Sequence, residues 1–145
     1  MKERVERMRL EFESLSENEQ FARVTAAVFM SRLDPTVEEV EDVKIAVSEA
    51  VTNAVIHGYG GGNGTIWMDA TAQFGEVKRL TMCIRDAGKG IENVEKAREA
   101  MFTTDTSGQR SGMGFSFMEA FMDEVRVESE PEKGTLVTMV KQIGR

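Results

Sequence analysis

The chain of 145 residues has one cysteine, one histidine and two prolines. No apolar run approaches the roughly 18 residues a membrane-crossing helix needs. Each scarcity excludes something. Cys83 alone cannot make an internal disulfide, so no disulfide framework exists, which suits a reducing interior. In the alternating run Leu80-Thr81-Met82-Cys83-Ile84 it reads as a small buried hydrophobe rather than a reactive thiol. The first nine residues, Met1 to Arg9, are charged rather than apolar and do not resemble a secretory leader. A cytoplasmic protein without a membrane partner is expected. Basic residues are in the minority, 18 against 25 acidic, for a formal charge of -7. That leaves no uniformly positive face to follow a phosphate backbone, so direct nucleic-acid binding is not expected, while a basic protein partner is allowed. The length fits one domain, 1–145, able to bury roughly two thirds of its unfolded surface.

Periodicity organises the chain. Met8, Leu10 and Phe12 alternate with charged residues, the pattern of a strand with one buried face. Ser16 and Glu19 have capping-box spacing ahead of a helix in which Phe21, Val24, Thr25 and Val28 form the apolar stripe up to about Leu33. Pro35 separates it from a second helix beginning at Thr36, with acidic Glu38, Glu39 and Glu41 near its N-terminus and Val40, Val43, Val47, Ala50, Val51 and Ala54 along one side. The glycines from Gly58 to Gly64 end it in a loop. Segments 65–74 and 77–85, joined at Gly75-Glu76, predict a hairpin that places Asp86 at a strand end. A helix is predicted over about 94–101, then a polar lid over about 102–111, a helix opening at Gly112 to Gly114, and two strands, about 125–129 and 135–143. The order β-α-α-β-β-α-α-β-β predicts an α+β fold: a two-layer α/β sandwich with a mixed, mostly antiparallel sheet covered on one face by helices.

Three short clusters could carry chemistry. Glu49 and Asn53, four apart on a helix, project from neighbouring turns and can address one ligand together. An Asn amide oxygen is a hard neutral ligand that Mg²⁺ accepts, and a carboxylate one turn away can orient or deprotonate a hydroxyl. Taken alone, the pair also describes a solvated polar face. Asp86-Ala87-Gly88-Lys89-Gly90 sets a carboxylate before two flexible positions. A carboxylate can accept from the exocyclic amine of adenine, whereas the carbonyl of guanine would oppose it. An ordinary Asp-Gly turn has the same sequence. Arg110-Ser111-Gly112-Met113-Gly114-Phe115 opens a helix whose unpaired amides and dipole can hold phosphate, with Arg110 adding a charged contact, or it is a plain loop-to-helix junction. Gly134-Thr135 is the weakest signal. His57 reads as a helix-dipole partner or loop anchor, and Met118 and Met122 as core.

The order and spacing of these blocks decide the reading. Together with Ser48-Glu49-Ala50-Val51-Thr52-Asn53-Ala54, His57-Gly58-Tyr59 and Phe121-Met122-Asp123-Glu124-Val125, they make the chain resemble, over nearly its whole length, the ATP-binding anti-sigma factors with serine-kinase activity. That family belongs to the superfamily of gyrase, Hsp90, histidine-kinase and MutL-type ATPases. The chain looks most similar to its sporulation branch, the anti-sigma F factors.

The resemblance implies a Bergerat-type ATP-binding fold, with ATP and Mg²⁺ as cofactors. It implies that Asn53 holds Mg²⁺, that Glu49 is the catalytic base with Arg110 assisting, that Asp86 reads adenine, and that Gly88, Gly90, Ser111, Gly112, Met113, Gly114, Phe115 and Thr135 line the nucleotide. It further implies phosphorylation of a serine on an anti-anti-sigma factor, inhibition of a sigma factor (sigma F), and a homodimer, with Arg23 and Thr52 contacting protein partners. The alternatives are a non-catalytic ATP-binding interaction module or an ATPase of the same superfamily. A histidine-kinase catalytic domain would need a helical phosphoacceptor segment, and a mechanical clamp a transducer domain; neither is evident in 145 residues.

Overall fold

In the computed structural model, which describes residues 3–91 and 114–144, side-chain alternation becomes three rows running straight across one sheet. Strands β1 (Arg4–Glu13), β2 (Thr65–Phe74), β3 (Lys78–Asp86), β4 (Glu124–Glu130) and β5 (Gly134–Ile143) pair in the order β1-β2-β3-β5-β4. Every pairing is antiparallel, so the sheet expected to be mostly antiparallel is antiparallel throughout the described residues. One row is Met8, Ala70, Met82, Met139 and Val125; the next is Leu10, Met68, Ile84, Val137 and Val127. The third starts apolar with Phe12 and Ile66, then turns polar at Asp86, Thr135 and Ser129. That switch marks the end of the sheet where a ligand could be met.

Helices α1 (Asn18–Met30), α2 (Val37–Asn53) and α3 (Gly114–Phe121) form the second layer, with α2 between the other two. Alpha-2 buries Val43, Val47, Ala50 and Val51 of the predicted stripe, adds Ala46, and leaves Val40 half-buried. Its start is held by a capping box formed by Thr36 and Glu39. The Glu39 amide donates to Thr36 Oγ1 at 3.1 Å and the Thr36 amide donates to Glu39 Oε1 at 2.9 Å. Lys141 sits at an inward position of β5 but is not stranded: its ammonium donates to the Phe121 carbonyl at the end of α3 and pairs with Asp42 of α2 at 3.4 Å. Met118 and Met122 are buried, as expected. The opposite sheet face is polar and open, with Arg9 on Asp69 at 2.6 Å and the Arg85 guanidinium 4.0 Å over the Trp67 ring.

Two expectations for α1 fail. The box anticipated from Ser16 and Glu19 does not form, because Glu17 takes the N-cap position and Ser16 lies one residue outside it; the Glu19 amide meets the Ser16 carbonyl instead, at 3.2 Å. The stripe of Phe21, Val24 and Val28 faces outward, at 54 %, 48 % and 64 % exposure. The buried stripe is Ala22, Ala26, Phe29 and Met30. Alpha-1 carries two apolar stripes, and the one with small residues lets its backbone lie close to α2 and the sheet. It also stops at Met30, three residues early, giving way to a 3₁₀ turn, Ser31–Leu33, and to Asp34 at a left-handed φ of 54° before Pro35. The helix predicted over 94–101, the lid over 102–111, and Arg110, Ser111, Gly112 and Met113 lie outside the described residues.

Candidate functional site

Glu49 and Asn53 stand on successive turns of α2, 2 % and 8 % exposed. The helix does not simply end after them. A π turn, Ala54–Gly58, follows, closed by the Tyr59 amide on the Ala54 carbonyl at 3.0 Å. Such wide turns recur where a helix must re-aim a group. Neither the amide oxygen nor the amide nitrogen of Asn53 has a hydrogen-bond partner among the described residues. A buried amide left so costs on the order of 1–3 kcal/mol unless a ligand completes it.

Asp86 closes β3 and is 6 % exposed. Burial pushes its carboxyl above the ordinary value, while hydrogen bonds from the Gly88 and Thr135 amides pull it back. The Gly88 bond is 2.9 Å to Oδ1. The π turn and this carboxylate touch: a Cβ at Gly58 would lie 2.8 Å from Asp86 Cγ. The glycines expected to admit a flat ring have a further reason to be glycines. A side chain at Gly88 would overlap the Gly58 carbonyl, and Gly90, at φ 74°, lies against the Glu130 carbonyl of the β4–β5 turn. The loop is therefore clamped between the π turn and that β-turn, with the Glu132 amide donating to Lys89 O at 2.7 Å.

Thr135 reaches the same corner from β5. The Ser129 hydroxyl donates to Gly134 O at 2.9 Å and accepts the Ile91 amide at 2.8 Å, so the Thr135 hydroxyl, 2.8 Å away, is the donor of that pair. Ser129 was not anticipated from sequence, although a serine at the last inward position of β4, after Val125 and Val127, was a signal. Alpha-3 begins at Gly114, as its sequence predicts, with Phe115 next in the helix.

Arg23 and Thr52 line two neighbouring hollows that share Glu19. Thr52 borders one of about 240 Å³ with Ser16, Val55 and Ile56. Arg23, its guanidinium 3.6 Å from the Glu19 carboxylate, borders another of about 310 Å³ that also reaches Lys44, Ser48 and Glu49. The buried Ser48 hydroxyl there has no partner among the described residues, and no sequence feature had singled it out by itself. The structure thus places Arg23 and Glu49 on one groove, and gathers Asp86, Gly88, Gly90 and Thr135 at one corner reached by the π turn that continues Asn53.

A helical layer thus lies on an open antiparallel sheet, and the π turn that continues the Asn-bearing helix meets a strand-end Asp. Residues 7–141 match the family described as Histidine kinase-like ATPase domain. In fold, the chain is similar to the RsbU and RsbW domains of Rv1364c from Mycobacterium tuberculosis, with a TM-score of 0.64 at 18 % identity, covering 97 % of this chain and 33 % of that one. Proteins named anti-sigma F factor are much nearer in sequence. That of Clostridium acetobutylicum is 54 % identical over 136 residues, 94 % of this chain and 93 % of the relative. That of Thermoanaerobacter pseudethanolicus is 53 % identical over 137 residues, covering 94 % of each. That of Bacillus licheniformis is 48 % identical over 139 residues, 95 % of this chain and 93 % of the relative. The chain belongs to the anti-sigma F factor family within that ATPase class.

Proposed function

We propose that this chain binds Mg·ATP, transfers the terminal phosphoryl group to a serine of an anti-anti-sigma factor, and, as a homodimer, binds and inhibits a sigma factor of the sigma F type. The observation that carries the reading is the buried amide of Asn53, without a partner among the described residues, one helical turn from Glu49 and continuous with the π turn that abuts Asp86. A buried amide oxygen left without a partner among the described residues suits Mg²⁺, which takes few protein ligands and completes its shell with phosphate and water. When bound, the magnesium ion neutralises charge on the phosphates.

The chain's own residues divide the remaining work. Asp86 accepts from the adenine amine, and Thr135 supports that corner. The amides at the start of α3, with Ser111, Gly112, Met113 and Arg110 preceding it, hold the phosphates through the helix dipole and a guanidinium. Glu49 holds and removes the proton of the incoming serine hydroxyl. The groove linking Glu49 to Arg23 suits a protein acceptor, because one wall is exposed helix and the other leads to the buried carboxylate. Thr52, on the adjoining hollow, extends the same partner surface. The outward stripe of Phe21, Val24 and Val28 supports self-association, since an apolar row at i, i+3 and i+7 gains by being covered.

The deciding experiment incubates the protein with γ-labelled ATP, Mg²⁺ and an anti-anti-sigma factor carrying the acceptor serine. Label on that protein supports the kinase; free phosphate alone selects an ATPase, and nucleotide binding without turnover selects a non-catalytic interaction module.

A further inference from the structure

Three consecutive amides of the loop after β3 are met by three acceptors of different origin. The Ala87 N–H donates to the Tyr59 hydroxyl at 2.7 Å, the Gly88 N–H to Asp86 Oδ1 at 2.9 Å, and the Lys89 N–H to the Gly58 carbonyl at 2.9 Å. Two of the three come from the end of the π turn. The Tyr59 hydroxyl has one proton, and it goes to the Thr65 carbonyl at 2.5 Å, which leaves the oxygen to receive Ala87 as an acceptor. Its ring lies against Gly64, where a Cβ would overlap it, so the hydroxyl is carried on a side chain without room to swing. One oxygen atom therefore joins the first residue of β2 to the residue that follows Asp86.

The wide turn makes this possible. The Tyr59 amide reaches back five residues to Ala54 O rather than four, and the extra residue brings both Gly58 O and the Tyr59 side chain to the loop. Ala87 is exposed, so water can replace a lost acceptor there and the fold does not depend on this bond. What water cannot supply is a fixed direction for the carboxylate next door.

We propose that the Tyr59 hydroxyl is a positioning group for base recognition, aiming Asp86 at the adenine amine and tying that aim to the helix that carries Glu49 and Asn53. The proposal rests on Asp86 reading adenine. Its test uses the whole chain and two nucleotides, ATP and inosine triphosphate, which keeps the sugar and phosphates but presents a carbonyl in place of the amine. Calorimetric titration with Mg²⁺ present measures both, and circular dichroism checks the fold of each variant. Tyr59→Phe should weaken ATP about five- to tenfold and leave inosine triphosphate unchanged, so that discrimination falls by the same factor. A role in general packing would weaken both nucleotides equally. In an Asp86→Asn background the Tyr59→Phe change should cost ATP nothing more.

Full ATP affinity in Tyr59→Phe, or equal losses for the two nucleotides, overturns the proposal while leaving the site intact if Asp86→Asn still weakens ATP. An Asp86→Asn protein that binds ATP as tightly as the parent removes the adenine assignment and this proposal with it.

Discussion

Replacing Asp86 by Asn should change stability and binding in opposite directions. The carboxylate is 6 % exposed, and burial is the leading influence on its acidity, raising it above the ordinary carboxyl value. An acid raised on folding binds more protons in the folded than in the unfolded state between its two pKa values. Stability therefore falls as pH climbs through that window, and the deficit is full above it. Asn has nearly the same shape, keeps one oxygen, with two lone pairs, for the Gly88 and Thr135 amides, and carries no charge to desolvate. Without nucleotide, the variant should be more stable than the parent, and melt higher, at pH above the raised pKa of Asp86, with the gain shrinking as pH falls toward the ordinary carboxyl range. ATP should bind roughly 10- to 100-fold more weakly, because a charge-assisted acceptor is lost and an amide donor can face the adenine amine. Inosine triphosphate, whose carbonyl welcomes a donor, should not weaken. Differential scanning calorimetry across that pH range and isothermal titration supply both halves. A variant that melts below the parent at every pH, or that binds ATP undiminished, refutes the assignment of a desolvated, adenine-facing carboxylate.

Glu49→Ala should retain ATP affinity within a few-fold but lower phosphoryl transfer by roughly 10²–10⁴, read with labelled ATP and the serine-bearing partner; undiminished transfer would exclude Glu49 as the base. Phe21→Glu, at a position 54 % exposed, should leave the melting temperature nearly unchanged and shift light-scattering mass toward the monomer, whereas an unaltered dimer would place self-association on another face. Thr36→Ala breaks the capping box of α2 and should cost about 1 kcal/mol, roughly 2–4 °C in melting, with ATP affinity preserved; an unshifted melt would show that the box's two hydrogen bonds add little.

The strands were legible because the sheet buries only one face: the segments read at 8–12, 65–74 and 77–85 fall within one residue of strands whose alternation translates directly into the rows that cross it. Alpha-2 was legible for the same reason at helical period, its single apolar stripe leaving no choice of buried side. Alpha-1 was not, because it offers two stripes and hydrophobicity prefers the larger side chains. The packing chose Ala22 and Ala26, whose small size matters only once a neighbouring helix is present. Its cap failed on a one-residue difference in where the helix starts, whereas Thr36 and Glu39 stand at capping-box spacing and do form the box of α2.

At the site, sequence supplies side-chain chemistry well and backbone chemistry poorly. Asp86, Asn53 and Glu49 could be named from residue type, spacing and family resemblance, since their functional groups are printed in the sequence. The π turn could not, because it is a choice of hydrogen-bond register that the glycines after it permit but do not specify. Yet that register decides which groups meet: it turns Gly58 onto the Asp86 carboxylate and Tyr59 onto Ala87, linking the helix that carries Glu49 and Asn53 to the loop after β3. Gly88 shows the consequence. From sequence it is a flexible point beside a ligand, whereas in the fold it is where two backbones touch, so an added methyl there would separate Asp86 from α2 before any nucleotide arrived. The pair of boxes is then one mechanical unit, and on the proposed function substitutions at its backbone contacts should disturb phosphoryl transfer and base discrimination together, while substitutions of its side chains disturb them one at a time.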